Sequence, residues 1–211
     1  PNVQPPPQTG PPAQSPSTQG PTGPVAILTG QSIGDENNRP ALLAKIDNAE
    51  AARPQNGINK ADVVFETLVE GNMTRFSAVF QSQDAGSIGP IRSIRKGDFN
   101  FVSNLNFPLF VHSGGNGGLI NSLDNMEIVR ADFLQLPGVY YRENAGRPAP
   151  HNLLTYTKGL YQYLGFGGQK PPALFVYRLV GEQVDGGVRQ VLPVTINFGG
   201  NTVTYTWDAS L

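Results

Sequence analysis

Cysteine is absent from this 211-residue chain, and histidine, methionine and tryptophan are scarce: two, two and one. Without thiols there can be no disulfide, no thiolate metal site and no cysteine nucleophile. The two histidines, His112 and His151, come without a His-x-x-x-His pair or an acidic cluster, so no metal site is expected. Charged residues make up 15% of the chain and the formal net charge is -1, which leaves no basic footprint for nucleic acid. No apolar run approaches the roughly 20 residues of a membrane span, and no secretory apolar segment follows Pro1. The expectation is that any signal or lipid anchor lay upstream of Pro1 and was removed, leaving membrane contact to that anchor alone. P-loop, dinucleotide and nucleophile-elbow patterns are missing too. No cofactor is expected.

What remains is arginine, ten residues against five lysines. A planar fork of five donors suits carboxylate or phosphate, so the skew points to bidentate anion recognition. The segment Ser87-Ile-Gly-Pro-Ile-Arg-Ser-Ile-Arg95 sets Arg92 and Arg95 three residues apart behind a Gly-Pro turn. If helical, the two share a face near a helix N-terminus; if extended, they point to opposite faces.

Composition divides the chain. Nine of the first 24 residues are proline and the first charge is Asp35, so 1–24 reads as a disordered Pro-rich linker. Residues 25–168 alternate strand-like and helix-like runs, which implies an α/β (α+β) domain with a mixed β-sheet and flanking helices. Strands are expected over 40–47, 61–70, 74–81, 108–112 and 139–142, with Gly71-Asn72 turning the second into the third. Helices are expected over 97–106, 119–126 and 155–164, the last stopping at Gly165. Residues 169–211 read as the β-rich start of a second small domain, with strands over 173–180, 188–198 and 202–207.

Four further places carry candidate chemistry. Glu70 lies in the second expected strand, on one face with Glu66 and Leu68, and Arg75 returns across the turn, so Glu70 and Arg75 can orient each other at a sheet edge, or form a plain cross-strand pair. His112 ends an apolar strand and enters Ser113-Gly114-Gly-Asn-Gly-Gly118, a loop that lets a ligand approach the backbone. Arg147-Pro-Ala-Pro-His151-Asn152 is stiffened by two prolines and presents its side chains from an extended stretch. Arg53 lies in Ala52-Arg-Pro-Gln55. His112, Glu70 and His151 are the candidates for acid–base work, and Arg53, Glu70, Arg75, Arg92, Arg95, His112, Ser113, Gly114, Arg147, His151 and Asn152 for ligand binding.

The blocks Lys45-Ile-Asp-Asn48, Ala52-Arg-Pro-Gln55, Ala61-Asp-Val-Val-Phe-Glu66, Leu68-Val-Glu-Gly71, Thr74-Arg-Phe76, Ile88 to Arg95, Val111-His-Ser-Gly-Gly115 and Arg147 to Asn152 occur in this order. Together they resemble the YerB-like family of bacterial lipoproteins over about residues 25 to 165, and the C-terminal strands resemble the start of that family's second domain. The resemblance implies a secreted, usually lipid-anchored protein of Gram-positive or related bacteria. The leading expectation is an extracytoplasmic binding protein for an anionic cell-envelope ligand: a phosphorylated or carboxylated glycan, a wall fragment or a lipid phosphate. The alternatives are an envelope hydrolase or phosphotransferase acting on such a ligand, and a structural scaffold whose arginines are tied up in salt bridges.

Overall fold

Every residue of Leu42–Asp47 (β1) is buried, which is why this stretch is apolar on both faces until Lys45 and Asp47 interrupt it. A computed structural model of the chain describes residues 23–33, 37–144, 146–165, 167–177 and 193–208. The following strands are β2 (Val63–Leu68), β3 (Thr74–Phe80) and the short β4 (Ser87–Ile88). Helix α1 (Asp98–Val102), β5 (Leu109–His112), α2 (Gly117–Ser122), β6 (Val129–Asp132), β7 (Tyr140–Arg142), β8 (Leu153–Tyr156) and α3 (Thr157–Leu164) complete the main body.

The central sheet has five strands in the order β2-β3-β1-β5-β6. β1 pairs antiparallel with β3 and parallel with β5, and β5 parallel with β6, so the sheet is mixed and the fold is α+β. A three-stranded sheet, β4-β8-β7, covers one face together with α3. There Leu42, Ala44, Ile46, Phe80 and Val111 meet Ile88, Leu153, Leu160 and Tyr161. On the other face Leu43, Val79 and Phe110 pack under Val102, Leu105, Leu123 and Ile128 from the α1 and α2 region. Each large side chain buried in these two cores is worth about 1.5–3 kcal/mol of transfer free energy.

The β2–β3 turn lies at the expected Gly71-Asn72, both with positive φ (70° and 54°). Other elements differ from expectation. The helix expected over 97–106 is only α1, because Asn106 and Phe107 take positive φ ahead of Pro108, which disfavours helix in the preceding residue. The helix expected from 155 begins at Thr157, since Leu153–Tyr156 pairs with β7 and β4 as a strand; its end at left-handed Gly165 is as expected. β4 and β6 were not anticipated, being short strands held by their partners rather than by their own pattern. Residues 173–177, five of the eight in an expected strand, carry none, and 178–180 lie outside the described residues. The expected strands over 188–198 and 202–207 are represented by a hairpin, β9 (Val194–Asn197) and β10 (Thr202–Tyr205). Its Tyr205 hydroxyl donates to Glu66 on β2. The linker over 1–24 lies outside the described residues except for Gly23 and Pro24.

Candidate functional site

The segment after Gly89-Pro90 is an extended ribbon inserted between β1 and the loop that leaves β5. Asp47 N–H donates to Pro90 O (2.8 Å) and Arg92 N–H to Lys45 O (2.8 Å) on one side. On the other, Ser113 N–H donates to Arg92 O (3.0 Å) and Ile94 N–H to Gly114 O (2.9 Å). Ile91 enters one core and Ile94 the other, and these two plugs clamp the ribbon in place. The helical alternative for Arg92 and Arg95 is therefore overturned: the first helical residue is Asp98, and its own carboxylate already accepts the Arg95 N–H at 2.7 Å. Ser113 and Gly114 serve through these backbone bonds.

Asp47, which sequence reasoning left out of the site, is its centre. The carboxylate sits at the buried end of β1, where Oδ1 accepts the Ala49 N–H (3.1 Å). Its Oδ2 meets His151 Nδ1 at 2.8 Å and Arg92 Nε at 3.0 Å. The Arg92 contact is an ion pair out of line for a hydrogen bond. Among the described residues nothing hydrogen-bonds the terminal nitrogens of Arg92 or Nε2 of His151, and both side chains are about one-fifth exposed (21% and 22%). The signal that could have found Asp47 is the polar alternation Lys45, Asp47 inside an otherwise apolar strand, which places both on one face.

Arg75 lies directly across from Asp47 in the β1–β3 register and donates to Ser93 O at 2.9 Å. Glu70 was expected to orient Arg75; its carboxylate instead accepts from Arg95 Nε at 2.6 Å. That bond holds the Glu70 carboxyl below the ordinary range. Burial, with Arg95 and Arg92 nearby, pulls Arg75 down from 12.5 to about 10, so it is still a cation at neutral pH. Three guanidiniums thus crowd around Asp47 and Glu70.

Beneath them lies a charge pair that the sequence did not announce. Lys45 Nζ bonds Asp98 Oδ1 at 2.6 Å, with both side chains fully buried. Ser77 Oγ donates to the same oxygen (2.9 Å) and also accepts from Lys45 (3.2 Å). Burial lowers the Lys45 pKa while Asp98 opposes the shift. This pair carries the ribbon, because Asp98 holds both Lys45 of β1 and the Arg95 backbone.

His112 proves inaccessible. It is 0% exposed, its Nδ1 accepts the Gly114 N–H (3.1 Å), and its Nε2 has no partner. Burial drives its pKa from 6.5 to about 4 against the pull of Asp132, with Arg130 adding to the fall and Asp98 opposing it. The native state therefore holds His112 neutral where the unfolded chain, below about pH 6.5, takes up a proton. Stability contributed by the neutral ring is complete above that pH and is lost as pH falls from 6.5 towards 4. The expected result is a thermal midpoint that drops steeply over that window in the wild type and less steeply in His112→Gln; parallel curves would count against it.

The remaining candidates form a neighbouring group. Arg53 Nε donates to Asn48 Oδ1 (3.2 Å), and Asn48 in turn donates to Thr74 and Glu66. Arg147 pairs with Glu143 and donates to Pro54 O (2.8 Å) and Asn56 Oδ1 (2.7 Å). These arginines, with Pro54, Asn56, Glu143 and Gly146, line an open cavity of about 360 Å³. Asn152 turns away to accept from Arg142 (2.9 Å) and to donate to Glu143 O (3.0 Å). So the loop of residues 143–152 links the cavity to Asp47 through His151, while Asn152 braces that loop. Among the described residues no acidic–histidine group is arranged to hold a metal ion, and no helix is long and apolar enough to cross a membrane.

Known proteins share this framework. Residues 28–168 match the family described as "Protein of unknown function (DUF3048) N-terminal domain". "Putative lipoprotein YerB" of Bacillus subtilis (strain 168) is 37% identical over 141 residues, which are 66% of this chain and 41% of that protein. The crystal structure of YerB from Bacillus subtilis superimposes with a TM-score of 0.66 at 31% identity, covering 72% of this chain and 54% of that one. The chain thus spans about two-fifths of the curated relative it matches. With the match running from Leu28 to Gly168 and including β1, the arginine ribbon and the loop of His151, this chain belongs to the DUF3048, YerB-like family.

Proposed function

We propose that this chain is the ligand-binding part of an extracytoplasmic, lipid-anchored protein that holds an anionic cell-envelope molecule, a phosphorylated or carboxylated glycan, wall fragment or lipid phosphate. One observation carries the reading. Arg75, Arg92 and Arg95 are held close enough that the other two help pull Arg75 down, and Arg92 keeps its terminal nitrogens unpartnered among the described residues. Crowding like charges costs free energy, which an incoming anion would return, and a guanidinium fork matches carboxylate or phosphate oxygens. The Pro-rich run 1–24 is suited to hold such a module away from a membrane surface. The likeness to a protein named as a lipoprotein supports that location.

The scaffold alternative is favoured by the Arg95–Glu70 pair. Yet the Glu70 side chain is 73% exposed, and a pair so wet is worth little. A ligand anion can displace it at small cost.

Calorimetric titration with inorganic pyrophosphate, a muropeptide and a short prenyl phosphate tests the reading. Arg92→Ala/Arg95→Ala is expected to weaken binding about 10- to 100-fold, the loss of one or two charged hydrogen bonds. Affinity should also fall with added salt. Identical affinities for wild type and double variant would remove the arginines from the site.

A further inference from the structure

The same carboxylate oxygen that faces Arg92 also orients His151, and this pairing is more than a binding site needs. Nδ1 of His151 lies against Asp47 Oδ2 at 2.8 Å. An imidazole beside a carboxylate places its N–H there, which turns Nε2 into a proton acceptor. That nitrogen has no partner among the described residues, and the side chain reaches solvent. Arg92, fixed on the same oxygen, brings its unpartnered donors to the same place. A proton acceptor, a buried carboxylate to stabilise it once charged, and a guanidinium fork for an anion are the parts of a general-base hydrolytic site. His112 cannot supply the base, being enclosed and engaged at Nδ1.

What the surroundings lack narrows the substrate. A proton donor for the leaving group is missing from this group of residues: Glu70 is held below the ordinary carboxyl range by Arg95, so it stays ionised at neutral pH. Asp47 already serves His151, and Arg92 and Arg95 do not release protons. An alkyl phosphate ester or a glycoside, whose leaving alkoxide needs protonation, is a poor match. A phosphoanhydride leaves as phosphate without help, and its charge suits three nearby guanidiniums.

We propose that Asp47 and His151 form a base that hydrolyses the phosphoanhydride bond of a pyrophosphate-bearing envelope ligand, an inference that rests on the anion site described above. A water molecule attacks the terminal phosphorus and gives its proton to His151 Nε2. The bond from that phosphorus to the bridging oxygen breaks, and its electron pair leaves with the phosphate monoester. The terminal group departs as inorganic phosphate, and His151 returns its proton to solvent. Asp47 acts as a positioning residue, holding the ring and stabilising the imidazolium.

The test measures phosphate release and binding together on the 211-residue chain, using geranyl pyrophosphate in buffer with magnesium and in buffer with chelator. In His151→Asn the amide nitrogen takes the place of Nδ1 and can still donate to Asp47, so the dissociation constant and melting temperature should hold while kcat falls about 10²–10⁴-fold, the usual share of general-base catalysis. Asp47→Asn should lower kcat about tenfold or more and flatten the pH profile of kcat, which a merely structural role would not do. Release by the wild type no faster than the buffer blank in either condition, with binding intact, overturns the catalytic inference and leaves the binding function standing. Release that is unchanged in His151→Asn overturns it as well. Failure of the wild type to bind any pyrophosphate overturns the phosphoanhydride inference, while the binding function then stands or falls with the muropeptide and prenyl phosphate titrations.

Discussion

Asp98→Ala is expected to destabilise the protein by about 3–5 kcal/mol, the cost of stranding one partner of a buried ion pair. The variant leaves the Lys45 ammonium fully buried with only Ser77 and Thr67 hydroxyls, and it removes the acceptor of the Arg95 N–H. Against a total stability of about 5–15 kcal/mol this is a large fraction. Urea unfolding should show a lower midpoint with an unchanged slope. The sign with pH follows from Lys45, whose native pKa burial has already lowered. Where the unfolded chain binds the proton more tightly than the native one, stability rises with pH. Removing the opposing pull of Asp98 widens that window, so the variant should recover part of its stability as pH climbs towards 10. Lys45→Met/Asp98→Leu, which removes both charges, should cost much less than Asp98→Ala. A loss under about 1 kcal/mol in Asp98→Ala would show that water or relaxation solvates Lys45.

The other large effect is expected at Gly89. Its φ is +140°, where side chains rarely go, and an added Cβ would stand 2.8 Å from Leu154 Cδ2 and 2.9 Å from Leu153 O. The Leu153 carbonyl cannot retreat without losing its bond from Ile91 N (2.7 Å), one of the bonds that hold the arginine ribbon. Backbone strain of about 1–3 kcal/mol and overpacking of similar size give Gly89→Ala an expected cost of about 2–5 kcal/mol. Anion affinity should fall with it, since Arg92 is three residues on. Gly86→Ala makes the comparison: φ is +68° but nothing lies within 4 Å of its Cβ, so about 1–2 kcal/mol is expected. Equal melting temperatures for the two variants would refute the close-packing account.

The charged residues show where sequence reasoning reached its limit. Arg92 and Arg95 were identifiable as a pair because they stand three residues apart beside a Gly-Pro turn. Their conformation was not, since an extended ribbon here is imposed by bonds to Lys45, Leu153 and Gly114, none of them local. His112 and His151 looked equally available in the sequence. One ends a central strand and is fully buried beside Phe110; the other lies on a loop and turns its ring to Asp47. Asp47 stands at the end of the strand expected over 40–47, and only its alternation with Lys45 sets it apart.

From the sequence alone came the period-two and apolar runs that mark the main strands, the Gly71-Asn72 turn, the stop at Gly165, the lack of thiol chemistry and the family. Those are properties of short windows and of composition, where local sterics and burial dominate. Which charge meets which was decided only by the tertiary structure. Lys45 finds Asp98 across 53 residues and His151 finds Asp47 across 104. Such pairs form because a sheet brings strand ends together and because a buried charge must find an opposite one. No window of sequence contains both partners.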